Sequence, residues 1–326
     1  MESLLIVKEN LTRFYTRFEA YIVPALKFLA MLLAMIFINS SIGYMSKLKN
    51  PAIVLMLSLL CSFLPTNVIV LVAGLVIIGH LYALSLECAV VVLFVFIIMY
   101  ALYFRFTPGD AITVLLTPVS FALHIPYVMP LSMGFIGNPV SSISVGCGTA
   151  VYYILHFVST HEDALKGSGS SDLDIEGMMG GFKGVIDGIL KNELMITMIV
   201  TFAVTIIVVY IIRRLKINYS WQIALGAGMI VCFITLLVTG AILDADVGIG
   251  GAIVSLFIST IIVFVLQFFI FTVDYSRAEY VQFEDDEYYY YVKAVPKITV
   301  ESAPVKARRV SSRREKADYD DEEEDY

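Results

Sequence analysis

The sequence predicts an all-α integral membrane protein. About six full transmembrane helices are expected, with two short re-entrant or kinked helical hairpins in an inverted repeat and a small β-hairpin in a cytoplasmic tail. Three observations predict this. Hydrophobic residues make up 59% of the 326-residue chain, far above the share in soluble domains. Several apolar runs reach the roughly 20 residues needed to cross a hydrocarbon core of about 30 Å. Between Pro51 and Val158 one phrase is written twice: two short apolar segments broken at a proline, then one long apolar segment.

Residues 1–19 read as an interfacial amphipathic helix. Leu4, Leu5, Leu11, Phe14, Tyr15 and Phe18 share a broad face, with the charges opposite. Glu2, Lys8, Glu9, Arg13, Arg17 and Glu19 leave no cleavable apolar core, so no signal peptide is expected. The membrane region 20–158 follows. Its first span is 21–44, with Pro24 near the start and Lys27 a turn in, where it can snorkel.

The first phrase (51–104) runs 51–64, Pro65-Thr66-Asn67, 68–79 and then the long segment 81–104. The second (111–158) runs 111–123, His124-Ile125-Pro126-Tyr127, 128–137 and then 139–158. Paired, interrupted hydrophobic segments in two repeats point to a midplane binding site in a transporter. Before the second phrase, Thr107-Pro108-Gly109-Asp110 reads as an ordinary helix start.

Residues 159–192 read as an extracytoplasmic loop. It has a Gly/Ser linker at 166–171 and an amphipathic helix at 175–190, where Met178, Phe182, Val185, Ile186, Ile189 and Leu190 recur at helical spacing. Spans at 194–212, 221–243 and 247–272 make a three-helix membrane region, 193–272. The tail, 273–326, holds 15 of the 29 acids and 9 of the 22 bases, and so carries −6 of the net −7. Its aromatic and β-branched residues flank Glu284-Asp285-Asp286-Glu287, predicting a β-hairpin over 278–295. Beyond Pro296 the composition predicts disorder, with a basic block at 306–316 and an acidic end at 318–325.

The positive-inside rule places Arg213-Arg214-Leu215-Lys216 in the cytoplasm and Asp244-Ala245-Asp246 outside. The chain is then a multi-pass cell-membrane protein with both termini inside. The long segments of the two phrases run in opposite directions, so the phrases are inverted. Lys47 and Lys49 fall outside, against the rule. With the N-terminus outside instead, 111–137 crosses as one kinked helix.

Polar groups at the breaks (Thr66 and Asn67 beside Pro65, His124 and Tyr127 beside Pro126) are candidates for a substrate or ion path, because freed backbone at a membrane break lines protein or a water-filled cavity. Ordinary proline kinks are the bland alternative. Glu87 lies inside an apolar run, where an ionisable residue is costly and functional by default. It is the candidate for binding a cation or carrying a proton, unless it only pairs with His80 near an interface. Asn138, Ser141, Ser142 and Ser144 open the second long segment and could line the path. They could equally let helices pack closely, as Gly146-Cys147-Gly148-Thr149 does. Arg308-Arg309-Val310-Ser311-Ser312-Arg313-Arg314 could attract anionic lipid and be released by phosphorylation.

The four cysteines lie in apolar runs without metal spacing, which predicts free packing residues. There is no phosphate loop ending in Lys-Ser/Thr, no zinc motif and no nucleophile elbow. No enzyme, cofactor or metal is therefore expected. The expected partners are the lipid bilayer, a second copy in a homo-oligomer and a cytoplasmic protein on the tail; nucleic acid is not expected.

The run Val281-Gln282-Phe283-Glu284-Asp285-Asp286-Glu287-Tyr288-Tyr289-Tyr290-Tyr291-Val292-Lys293-Ala294-Val295-Pro296-Lys297, joined to this membrane body, resembles a group of uncharacterised polytopic membrane proteins of Gram-positive anaerobes, loosely described as permease-like. The resemblance covers most of the chain and implies a membrane permease, but it brings no binding residues. The hairpin-plus-helix phrase is also similar in outline to secondary transporters with re-entrant hairpins. Their Ser-Asn-Thr-type tips are replaced here by Pro-Thr-Asn and Ile-Pro-Tyr. Two functions follow as expectations: a secondary transporter or permease component for a small solute, or a non-transporting scaffold that recruits partners through its tail.

Overall fold

The computed structural model describes residues 2–167, 175–270 and 279–294. Helix α1 (Glu2–Ile42) joins the amphipathic segment to the first span. Its backbone leaves helical geometry at Phe18 (φ −115°, ψ 20°), just ahead of Pro24, whose ring crowds the preceding turn. Lys8 donates to the Phe268 carbonyl at 3.2 Å, which ties the amphipathic segment to the end of α13 (Ile249–Ile270).

After the short α2 (Ser46–Lys49), α3 (Pro51–Ser62) starts with Pro51 in its first turn and Asn50 capping Ala52 N at 3.0 Å. It folds back along α1. Ser62 Oγ donates to Pro24 O at 2.7 Å, and Lys27 Nζ to Leu64 O at 3.1 Å. Helix α4 (Thr66–Leu84) then returns until Met45 N donates to His80 Nδ1 at 3.1 Å.

Here the expected boundaries are corrected. The segment 68–79 is not short, and the long segment does not begin at 81. Helix α4 runs for 19 residues straight through Gly79-His80. The chain breaks instead at Ser85, which is extended (φ −154°, ψ 130°) and accepts Cys88 N on its Oγ, starting α5 (Leu86–Phe106). Glycine is tolerated inside a helix that packs on both sides, and a methyl at Gly79 would already lie 3.1 Å from Leu48. The first phrase is therefore short–long–long.

The second phrase keeps its expected form: α6 (Ala111–Ala122), α7 (Val128–Ile136), a 3-10 turn (Pro139–Ser141) and α8 (Ser142–Thr160). Asp110 precedes α6 without a side-chain cap bond, so the helix starts at Ala111 and not at Pro108. Helices α6 and α8 run parallel. Ser144 meets Thr107 at 2.6 Å, Gly148 faces Thr117, and Phe121 stacks on Tyr152 at 4.4 Å.

Helix α9 (Glu162–Gly167) and α10 (Ile175–Leu190) follow, and Val185 and Ile189 of α10 enter the core formed by α1, α4, α5 and α8. Most of the linker 166–171 lies outside the described residues. Helices α11 (Glu193–Arg213) and α12 (Ser220–Ile242) are antiparallel, and α13 completes a second core with them and α7.

Among the described residues seven segments are long and apolar enough to cross a membrane: the six expected and Thr66–Leu84. This is the pattern of a multi-pass membrane protein. The bundle has a basic end, where Lys8, Arg105 and Arg213 lie with Asp110, and an acidic end, where Glu162, Glu193, Asp244 and Asp246 outnumber Lys47, Lys49 and Lys191. Helix α5 runs from the acidic end to the basic end; α8 runs the other way.

In the tail, β1 (Glu279–Glu284) pairs antiparallel with β2 (Tyr289–Ala294), as predicted, with Glu284 opposite Tyr289. Asp285 clamps the turn, accepting from Glu287 N (3.0 Å), Tyr288 N (2.7 Å) and Tyr290 OH (2.9 Å). The Glu287 amide, the Tyr290 hydroxyl and the Tyr288 amide hold its carboxyl below the usual carboxylate range. The predicted disorder beyond Pro296, the basic block with Ser311 and Ser312, and the acidic end lie outside the described residues.

Candidate functional site

The residues singled out in the sequence fall into three separate places. The first is at the acidic end, where α1 finishes, α4 finishes and α5 begins. His80 is fully buried. Its Nδ1 accepts from Met45 N, and its Nε2 has no partner among the described residues. Glu87 is 6% exposed and stands in the first turn of α5, where the helix dipole favours a carboxylate. The sequence placed it inside the apolar run 81–104; with the helix break at Ser85 it stands at the start of α5. No ion pair joins it to His80 among the described residues. Ser85 followed by Glu87 is a helix-start signal that was legible in the sequence. Tyr44 completes this corner. Burial, and then Glu162, push its phenol up to about 12.

The second place is the first hairpin tip. Pro65 is exposed, and Thr66 and Asn67 are half-buried. Tyr103 OH lies 2.5 Å from Asn67 Oδ1 and 3.1 Å from Pro108 O. A phenol has one proton to give, so both contacts are satisfied together only if the Asn67 amide turns to donate. The tip is thereby fastened to the basic-end turn just before α6.

The third place is the second tip. His124 is exposed and left-handed (φ 59°), while Pro126 and Tyr127 are buried. The rings of Phe121 and Tyr127, on either side of the tip, lie 5.9 and 6.0 Å from Phe202, midway along α11. The return helix α7 comes back to the basic end. Phe135 stacks on Trp221 at 5.4 Å, and Arg213 Nη2 donates to Gly137 O at 2.8 Å. Both feet of this hairpin therefore stand at the basic end, and its tip stops halfway along the bundle.

The two tips do not come together. Asn67 lies at the foot of α6 and Tyr127 beyond its far end, about 18 Å away at 1.5 Å per residue. The hydroxyls that open α8 serve local structure. Asn138 is exposed, Ser141 Oγ accepts from Asn138 N at 3.2 Å, Ser142 Oγ donates to Pro139 O at 2.7 Å, and buried Ser144 meets Thr107. Sequence reasoning treated Arg213 only as a topological charge. The structure makes it the clamp on the hairpin foot, with its guanidinium 5.1 Å from the Tyr210 ring and 5.7 Å from that of Trp221.

Among the described residues no group of three or more His, Cys, Asp or Glu is placed to hold a metal ion. No protein-family model matches the chain, and comparisons with curated proteins and with solved structures likewise find no match.

Proposed function

We propose that the protein is a membrane permease for a small solute, with α6–α7 as its re-entrant hairpin and with the inverted relation of the two phrases kept by their long helices α5 and α8. One observation carries this reading: the α6–α7 hairpin has both feet at the basic end, and its tip stops beside Phe202 with His124 exposed. The freed backbone at this tip is satisfied locally, His124 N by Phe121 O and Ile125 N by Ser120 O. An imidazole left exposed at hydrocarbon depth is costly. Water above the tip removes that cost, so an aqueous entrance descends from the acidic end to mid-depth. Glu87, buried and without a partner among the described residues, is the group that would exchange a cation or a proton. The basic end faces the cytoplasm, with both termini inside.

The test is a single cysteine at position 124 in a chain lacking its four native cysteines. A membrane-impermeant thiol reagent should label it from the acidic-end side. Resistance to the reagent from both sides would place the tip in lipid or dry protein and remove the reading.

The scaffold reading retains one specific observation. The tail hairpin exposes Val281, Phe283, Tyr289 and Tyr291, and a lone two-stranded hairpin is marginal unless something covers it. Truncation after Thr272 should abolish partner recruitment under that reading and leave transport intact under the first.

A further inference from the structure

Helices α4 and α5 part at mid-height and leave a cavity of about 420 Å³, within the range of small-molecule sites. Its walls come from α1, α4, α5, α6 and α8 and are almost wholly apolar. Leu71, Leu75, Leu93 and Ile97 line it and are also 39–57% exposed. The mouth therefore opens sideways, between α4 and α5, and at neither end of the bundle. Gly74 sits at the rim, where the absence of a side chain leaves the ring of Phe96 facing the backbone.

Polar groups gather at one end of the cavity only. Tyr100 and Tyr103 stand there, and Tyr103 holds the Asn67 tip. The same end carries exposed Arg105 in the last turn of α5 and Lys27, bonded to Leu64 O beside that tip, against one carboxylate, Asp110, near Tyr103.

We infer that this cavity holds one acyl chain of an anionic phospholipid, with the headgroup at the basic end. The inference rests on the membrane reading of the seven helices and not on transport. A sideways mouth at mid-height faces hydrocarbon, so the occupant enters from the lipid phase and is apolar where it lies inside. An empty apolar void forfeits dispersion contacts that a methylene chain supplies along its length. Two cations, Lys27 and Arg105, against the single carboxylate of Asp110 at that end, and no charged residue in the cavity lining, fix the direction of the chain and favour a phosphate headgroup without a compensating positive charge.

The test uses the full chain in vesicles that contain phosphatidylglycerol with a photoactivatable acyl chain, with crosslinks mapped by mass spectrometry. Labelling should be enriched on residues 71–78 and 93–103 over Phe257 and Phe264, which are equally exposed on α13. Gly74→Phe should lose the enrichment. Gly74→Ala should keep it, since its methyl meets Phe96 at an ordinary 3.5 Å. If Gly74→Phe does not fold, Leu93→Trp fills the α5 side instead. Labelling no stronger than on α13, or unchanged in the filled variants, would overturn the site. Replacing the lipid with a phosphatidylcholine analogue should lower the labelling, and Lys27→Ala with Arg105→Ala should erase that difference. Equal labelling by both lipids would overturn the headgroup assignment. Alkaline carbonate extraction reports membrane insertion separately, so failure of the membrane reading is distinguishable.

Discussion

Replacing Gly148 by alanine tests the seam that holds the second hairpin in place. A methyl there would lie 2.6 Å from Thr117 Cβ and 2.9 Å from Val114 O. Neither neighbour can yield easily, because one is backbone and the other is a β-branched residue whose hydroxyl is tied to Thr113 O at 2.7 Å. Helices α6 and α8 must separate. Overpacking of this kind costs about 1–3 kcal/mol, against which alanine returns roughly 0.5–1 kcal/mol of helix propensity. The net expectation is destabilisation by up to about 2.5 kcal/mol. Gly146→Ala supplies the control two residues away. Its methyl meets Ile199 at 3.6 Å, an ordinary contact, so only the propensity gain remains. The two variants should thus differ by about 1–3 kcal/mol, the overpacking term alone. Cys61, Cys88, Cys147 and Cys232 are all buried, so a thiol-reactive dye reports unfolding in detergent. Gly148→Ala should melt below wild type and Gly146→Ala at or above it. Equal melting temperatures for the two variants would refute the close α6–α8 contact and the placement of the hairpin that depends on it.

Other outcomes follow from the same geometry. Arg213→Lys keeps the charge but loses the planar fork between Gly137 O, Tyr210 and Trp221, and should destabilise by about 1.5–3 kcal/mol, measured by the same melt. The depressed carboxyl of Asp285 means its support for the tail hairpin is complete above the ordinary carboxylate range and disappears as pH falls through its lowered folded value. Strand shifts of the hairpin in NMR should follow that acid transition in the wild type and be flat in Asp285→Asn. Under the permease proposal, Glu87→Gln should fold normally and lose cation-dependent solute uptake into proteoliposomes; uptake at the wild-type rate with unchanged ion dependence would end the coupling role. Cysteines in residues 159–192 should label from outside intact cells and those at Arg213–Lys216 only after lysis; the reverse pattern would invert the orientation.

Much of this molecule is written in local pattern. The apolar runs, the proline breaks at Pro65 and Pro126 and the acidic turn of the tail hairpin are properties of a few adjacent residues, and each fixes backbone conformation where it stands. A proline in or before a break removes a donor or restricts its neighbour whatever surrounds it. Asp285 reaches only amides and a hydroxyl within five residues. These features are therefore legible without a fold.

The start of α5 is signalled locally by Ser85 and Glu87, but the continuation of α4 through Gly79-His80 was not legible in the same way. Gly79-His80 reads as a junction in isolation, yet the helix continues there, with Met45 N, 35 residues earlier in the chain, bonded to the imidazole and Leu48 set against Gly79. Ser85 takes the break, and Glu87 stands at a helix N-terminus instead of inside the long segment. The depth of each hairpin tip is likewise a tertiary property. Both tips are proline breaks of similar length, but Tyr103 holds Asn67 at the basic end while Phe202 meets Phe121 and Tyr127 halfway along α11. The cavity between α4 and α5 is lined from five helices, so no single stretch of sequence contains it. The sequence by itself determined which segments are apolar and where a proline must interrupt them, because those preferences act over a turn or two. Tertiary structure decided which breaks are real, how deep each hairpin reaches and where helices part, because those depend on contacts between residues far apart in the chain.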